Sequence, residues 1–208
     1  MWPPNLQNMR KKLPLLPILL VLASVSCKKS NSGSGSSGNS LSGTWGFIYM
    51  TAHTNSAVDQ SFGADEYTDL TISDFTTTHN TGTIAFNNGV EKESNVSYES
   101  STLSEDSSYE DGQLLVTTRS LDEGGIPPTS GSVKYQVIGS DSLYYPAGGF
   151  FTVDGSGVSQ TTPVGSKFTF HGDTLVIMTT IHQVTDQGYP GQPATQTIDA
   201  TATAYFLR

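Results

Sequence analysis

Short runs of β-forming residues, separated by turn-forming residues, are the feature that most restricts the fold of this chain. From residue 41 onward the sequence is rich in Thr, Ser, Val, Tyr and Phe, with Gly, Asp and Asn at short intervals. Long apolar stripes with the 3.6-residue period of a helix are missing. The pattern predicts an all-β, antiparallel sandwich or barrel of roughly 8–10 strands. The predicted strands are residues 45–51, 67–72, 82–86, 113–120, 132–138, 142–145, 150–153, 167–171, 174–184 and 197–207.

Two local patterns define strands most clearly. Gly172-Asp173 suits a two-residue hairpin turn between runs 167–171 and 174–184. The last run alternates, so one face of that strand is apolar and the other is polar. The apolar positions are Ile198, Ala200, Ala202, Ala204 and Phe206, and the polar ones are Asp199, Thr201, Thr203 and Tyr205. Three alanines leave little bulk on the apolar face, so either a neighbouring element packs closely there or space is left for something else.

An apolar segment precedes the only cysteine of the chain, Cys27. Basic residues 10–12 come before the apolar run 13–25, an order typical of a secretory signal peptide. The run is shorter than the roughly 20 apolar residues of a spanning helix, and Pro14 and Pro17 interrupt it. The segment resembles the lipobox of a bacterial lipoprotein. That resemblance implies that the Cys27 thiol is acylated, as with palmitate, and anchors the protein to a membrane.

A polar linker follows the cysteine. Residues 28–42 are almost entirely Ser, Gly and Asn and are predicted to be a flexible, disordered tether. Residues 33–38 match the letters GxGxxG, but neither a strand nor a helix flanks them, so no dinucleotide site is predicted. The chain therefore divides into a signal peptide at residues 1–26, a lipidated cysteine and linker at 27–42, and a β-domain at 43–208. The lipobox resemblance, with Lys28 and no Asp after the cysteine, implies the outer membrane, either at its periplasmic face or at the cell surface.

The predicted domain is strongly acidic. All nineteen Asp and Glu residues follow residue 42, where the basic residues are Lys92, Arg119, Lys134, Lys167 and Arg208. Such a surface repels a phosphate backbone and has no basic stripe, which excludes nucleic-acid binding. A single cysteine provides no disulfide framework. Its acylation would leave no thiol for catalysis or for zinc.

The first predicted strand opens with Gly43-Thr44-Trp45. This tripeptide resembles the G-x-W signature of lipocalin-like barrels. Together with the lipobox, the tether and the alternating last strand, it resembles the lipocalin-like lipoproteins of Bacteroidota. The resemblance implies an antiparallel β-barrel, with Gly43 permitting a close approach, Trp45 closing the barrel bottom and a basic residue, here Arg208, packed over the Trp. A small apolar ligand would be lined by the inward side chains Trp45, Tyr49, Phe86 and Phe170.

No catalytic constellation is present in the sequence. A Gly-x-Ser-x-Gly elbow is absent. With a turn at Gly172-Asp173, His171 and His182 lie about 26 Å apart and cannot share a metal. The acidic segment 99–112 lacks the spacing of a calcium loop and is predicted to be a solvated loop. A pair of carboxylates placed for glycoside hydrolysis is not excluded, because the distance between two acidic side chains in space cannot be read from the sequence. We predict no enzyme, no metal and no cofactor.

Two further patterns point to surface features. Tyr144-Tyr145 and Phe150-Phe151 flank a Pro-Ala-Gly-Gly turn, so they form either an aromatic binding platform or alternate core and surface residues. Asp141-Ser142-Leu143 and Asp173-Thr174-Leu175 match a short O-glycosylation pattern known from Bacteroidota, and both also suit turn-to-strand transitions.

Two functions remain open. The first is a non-catalytic cell-envelope lipoprotein that binds a small apolar ligand or an envelope partner. The alternative is a surface adhesin or a glycan-binding or structural module. It would act through exposed loops at residues 121–131 and 186–196, which are rich in Gly and Pro.

Overall fold

The computed structural model describes residues 40–149, 162–188 and 192–208. They belong to one compact unit, Gly38–Arg208, and a second unit, Met1–Ser37, lies outside the described residues. The predicted signal peptide, Cys27 and most of the tether therefore also lie outside them, as does the strand predicted at residues 150–153.

In the described residues, nine antiparallel strands make one sheet, which confirms the all-β, antiparallel fold; nine lies within the predicted range of 8–10 strands. The sheet order is β4-β3-β2-β1-β9-β8-β7-β6-β5. A closed, lipocalin-like barrel is not confirmed, because β4 and β5, the two ends of the sheet, do not pair within the described residues. The strands are β1 Gly43–Phe62, β2 Asp65–Asn87, β3 Val90–Glu110, β4 Gln113–Lys134, β5 Gln136–Ile138, β6 Ser142–Tyr145, β7 Val164–His171, β8 Thr174–Asp186 and β9 Ala194–Leu207.

The sheet curls so that its two ends approach each other. β4 and β5 are consecutive in the chain, and a single residue, Tyr135, separates them. The Tyr135 amide donates a 2.9 Å hydrogen bond to the carbonyl oxygen of Gly89, in the β2–β3 turn. Its ring packs edge-on against Phe86 at 5.3 Å between centroids. The Tyr145 hydroxyl of β6 donates a 2.6 Å hydrogen bond to Glu91 of β3, so strands near opposite ends of the sheet order meet across its interior.

A line of irregular pairings crosses the long strands. The register shifts between Gly46 and Thr51 in β1, and between Thr78 and Thr83 in β2. The β3–β4 ladder shifts between Glu93 and Tyr98. Bulges bend a strand and increase its twist. We therefore divide the sheet at this line into a curled end, which holds the aromatic core, and an extension formed mainly by β1 to β4, β8 and β9.

The core follows the alternation of the strands. Trp45, Met50, Phe86, Leu175 and Phe206 are at most 1% exposed. The predicted apolar face of β9 is confirmed, because its residues from Ile198 to Phe206 alternate between buried and half-buried or exposed positions. The predicted hairpin is also confirmed: His171 pairs with Thr174 across the Gly172-Asp173 turn. The alanines of β9 are buried, so close packing, and not free space, accounts for their small size.

Two predicted loops are strands in the structure. Most of the acidic segment 99–112 lies in β3, and segment 121–131 lies in β4. Hydrogen bonds between side chains on adjacent strands support β3: Ser108 Oγ donates to Asp69 Oδ1 at 2.6 Å, and Thr71 Oγ1 donates to Asp106 Oδ1 at 2.7 Å. Because these partners lie more than thirty residues apart, local composition did not indicate them. The other predicted contact loop, segment 186–196, begins at Asp186, the last residue of β8, and extends into β9, which begins at Ala194.

Candidate functional site

The predicted barrel signature lies at the start of β1, beside the end of β9. The guanidinium carbon of Arg208 lies 4.9 Å from the ring centroid of Trp45, within the range of a cation–π contact. Its Nη2 also donates to the carbonyl oxygens of Ser40 and Ser42, at 3.3 and 2.9 Å. Gly43 has φ +134°, and a Cβ there would lie 3.2 Å from Arg208 Nη2. Glycine at this position therefore permits the approach of the arginine.

The aromatic residues predicted to line a ligand cavity pack against other side chains of the protein. Trp45 stacks on Phe170 at 5.8 Å between centroids, and Phe86 contacts Tyr135. Tyr49 is placed differently: it stacks at 4.3 Å on Tyr205, whose neighbour Phe206 is buried on the opposite face. The structure therefore brings three of the four residues to the interior and Tyr49 to the outer face of the sheet.

Two carboxyl groups lie inside the curled end. Glu91 and Glu93 share one face of β3 and are 1% and 5% exposed. The Tyr145 hydroxyl donates a 2.6 Å hydrogen bond to Glu91 Oε2. Burial raises the pKa of Glu91 to about 7 against the lowering effect of this hydrogen bond. Burial and the nearby Glu91 raise the pKa of Glu93 to about 8. The pair is enclosed with Tyr135 and Tyr145, whose own pKa values burial raises.

A groove of about 600 Å³ crosses the outer face of the extension. β9, β1, β2 and β3 supply its walls. In the strand register, Thr51 lies opposite Thr203 on one side and Thr76 on the other, and Thr76 lies opposite Ser101. Paired residues in an antiparallel ladder are about 4.5–5.5 Å apart. Four hydroxyl side chains therefore form a row across four strands, and Thr201 adds a fifth hydroxyl in the next row.

The groove also contains a paired imidazole and carboxylate. His53 Nδ1 lies 2.7 Å from Asp74 Oδ1, and both side chains are more than half exposed. In the next row, His182 Nδ1 lies 2.7 Å from Asp199 Oδ1. These pairs orient side chains on the outer face and present further hydrogen-bonding groups to solvent.

The stacked tyrosines extend the groove at one end. Tyr49 and Tyr205 are each two residues from a groove threonine on the same strand, namely Thr51 and Thr203. Desolvation, followed by the contact with Tyr205, raises the pKa of Tyr49, so its phenol stays protonated. The outer face thus combines an aromatic surface with neighbouring hydroxyl groups.

The described residues contain no group of three or more His, Cys, Asp or Glu side chains placed to hold a metal ion. In this part of the chain, no helix has the length and apolar character needed to cross a bilayer. Tyr145 is buried and Tyr144 is exposed, as expected for alternate core and surface residues. Their predicted partners Phe150 and Phe151 lie outside the described residues.

Sequence patterns indicated part of the outer site. The polar face of the last strand included Thr201, Thr203 and Tyr205, which lie in or beside the groove. Thr51, Thr76 and Ser101 were not singled out, since they come together only when β1 pairs with both β9 and β2. The buried pair Glu91 and Glu93 was also missed, because no local signal distinguishes it from surface acids.

Comparison of the chain with protein-family models, with curated proteins and with solved structures gave no match. The candidate function therefore rests on the geometry and chemistry of the outer face.

Proposed function

We propose that this protein is a non-catalytic lipoprotein of the cell envelope and that its β-domain binds a neutral glycan in the outer groove. The observation that carries this proposal is the row Thr203, Thr51, Thr76 and Ser101, which continues to the stacked rings of Tyr49 and Tyr205. Of the two functions open from the sequence, the glycan-binding module therefore has the stronger support. The contact surface is the sheet face and not the loops.

The chemistry of the groove suits a sugar. Threonine and serine hydroxyls both donate and accept hydrogen bonds, as sugar hydroxyls do. A tyrosine ring offers an apolar face for the C–H groups of a pyranose and a polar hydroxyl at its rim. Ala52 and Phe75 form the floor of the groove and are buried in the core behind it. The site is therefore built on paired strands, which hold its side chains at fixed spacing.

The charge of the domain favours an uncharged polymer. The chain carries nineteen acidic and ten basic residues. Asp74 in the groove and Asp199 in the next row each face a histidine. An anionic polysaccharide would be repelled by the acidic surface around this face. A neutral glucan, mannan or xylan would not.

Removing two hydroxyls from the groove tests the proposal. Thr201→Val with Thr203→Val keeps the shape of both side chains but removes two hydrogen-bonding groups. Each lost hydrogen bond costs about 0.5–1.5 kcal/mol, so the loss of two should raise the dissociation constant about 5- to 150-fold. Calorimetric titration of the full chain with soluble glucan, mannan and xylan measures it.

Thr195→Val is the matched control, since Thr195 is exposed on the same face of β9 and lies outside the groove. It should leave the affinity unchanged. The proposal fails if none of the three polysaccharides binds, or if the double variant binds as tightly as the parent chain.

The anchoring part of the proposal rests on the sequence. Cys27, acylated at its thiol, holds the domain on the outer membrane through the linker, at the periplasmic face or the cell surface. Cys27→Ala should move the protein from the membrane fraction to the soluble fraction of cells. A variant that stays fully membrane-bound would refute acylation.

We also propose that the curled end is lipocalin-like. The contact of Arg208 with Trp45, and the close approach that Gly43 permits, support this interpretation. The interior aromatic residues Trp45, Phe86 and Phe170 then close and fill this end of the domain, and the ligand is bound on the outer face.

A further inference from the structure

We propose that the free edge of β4 pairs with the same edge of a second copy, so that two chains share one continuous sheet about a two-fold axis. β4 is at one end of the sheet order, and within the described residues it pairs only with β3. Among the residues that the structure describes, nothing pairs with the backbone N–H and C=O groups along the other edge of this 22-residue strand. Such an edge is a template for pairing with another chain. The proposal stands independently of glycan binding.

Several side chains of β4 are apolar and exposed. Leu121 is 64% exposed and pairs with Leu103, which is 56% exposed on the same face. Leu114, Leu115 and Val116 are also at least half exposed. Pairing with a second copy near Leu121 would cover part of Leu121 and of Leu103 beside it, which a monomer leaves in water.

Charge selects the register of the pairing. With the two-fold axis at Leu121, each Leu121 lies opposite its own copy, and each Arg119 lies opposite Glu123 of the other chain. Moving the axis to Arg119 or to Asp122 would place like charges opposite each other, which is unfavourable. An axis at Ser120 would place Arg119 opposite the uncharged Leu121, so it would form no ion pair there. The axis at Leu121 is therefore the one among these four that pairs opposite charges.

This register also uses contacts already present in each chain. Arg119 Nη2 lies 2.7 Å from Glu105 Oε2, so in the pair its guanidinium would lie between two carboxylates. Leu103 and Leu121 of both chains would form a row of four leucines on the outer face. Pro127 and Pro128 lack an N–H, so pairing ends before them, at about residue 125. With the axis at Leu121, residue 125 lies opposite residue 117, so the ladder is confined to residues 117–125.

The two-fold axis is perpendicular to the sheet, so the outer faces of both chains lie on the same side. Two hydroxyl-lined grooves would then share one surface. If the proposed function holds, one polymer could occupy both grooves and be retained more strongly than by a single groove.

A cysteine at the axis tests the pairing directly. In the full chain, purified in mild detergent with Cys27→Ser, Leu121→Cys places two thiols opposite each other at a Cα separation compatible with a disulfide. Mild oxidation should give a dimer at least tenfold more abundant than with Thr117→Cys, which is on the same face but far from its copy. Equal cross-linking of the two variants, or none with Leu121→Cys, would overturn the proposal.

Charge exchange provides a second test that needs no cysteine. Sedimentation of the chain without these substitutions, in mild detergent, should give twice the mass of one chain. Glu123→Arg brings two arginines opposite each other and should halve that mass, and adding Arg119→Glu should restore it. Asp122→Arg, on the other face opposite Ser120, is the control and should stay dimeric. A monomeric parent chain, or a Glu123→Arg variant that stays dimeric, would contradict the pairing.

Discussion

Glu91 and Glu93 show how strongly the environment of a residue decides its chemistry. Both belong to a chain with nineteen acidic residues, most of them exposed or half-buried. These two lie on the inner face of β3, where desolvation disfavours the charged form of a carboxyl group. Glu91 is stabilised by the hydroxyl of Tyr145. Within the described residues, Glu93 has no hydrogen-bonding side-chain partner, and its pKa is raised further.

These two residues give a pH-dependent stability. Their pKa values rise from 4.5 to about 7 and about 8 on folding, so the folded chain binds more protons than the unfolded chain between these limits. Their contribution is complete below pH 4.5 and is lost as the pH rises through about 7 and 8. The free energy of unfolding, measured with urea, should therefore fall between pH 5 and pH 8.

Amide variants isolate this effect from that of other groups. Glu91→Gln and Glu93→Gln remove the titrating proton and should each flatten the fall in stability over this interval. Glu66→Gln, at an exposed position in β2, should leave the slope unchanged. A parent chain whose stability rises with pH, or amide variants with the parent's slope, would show that the two carboxyl groups are not protonated in the fold.

At the scale of the elements, the line of bulges is the feature that separates the curled end from the extension. Gly82 lies on this line with φ +93°, and a Cβ there would lie 2.5 Å from both Asn95 O and Val96 Cα. These are backbone atoms of β3, which cannot rotate away. The bend between β2 and β3 therefore depends on the absence of a side chain.

Gly82→Ala should lower the free energy of unfolding more than Gly63→Ala. Both glycines have positive φ, which costs a residue with a Cβ about 1–2 kcal/mol. A Cβ at Gly63 would meet nothing within 4 Å, so that variant bears only the conformational cost. The overlap at Gly82 should add about 1–3 kcal/mol. Equal urea midpoints for the two variants would show that the bend tolerates a side chain.

The elements differ in how far they could be predicted from the sequence. β9 and the β7–β8 hairpin were predicted because their signals are local: alternation in one case and a two-residue turn in the other. No part of β3 was predicted as a strand, since its Ser, Glu and Asp residues favour loops. Its strand conformation depends on partners in β2, such as Asp69 for Ser108, which only the assembled sheet provides.

At the scale of the whole β-domain, β1 pairs with β9 although the two strands lie about 140 residues apart in the sequence. This pairing positions residues of both the curled end and the outer groove. It brings Arg208 to Trp45 in the curled end and Thr203 to Thr51 in the outer groove. The signature Gly43-Thr44-Trp45 indicated the first contact. The second could not be predicted, because the shift between Phe47 and Tyr49 sets which β1 residues face outward.

One measurement tests the central claim most directly: an NMR titration that records the amide chemical shifts of the full chain. The titrant is whichever of glucan, mannan or xylan binds. Binding in the outer groove predicts that the largest shifts occur at Thr51, Thr76, Thr201 and Thr203, with little change inside the curled end. Shifts concentrated at Trp45, Phe86 and Phe170 would place the ligand in the interior and contradict the account.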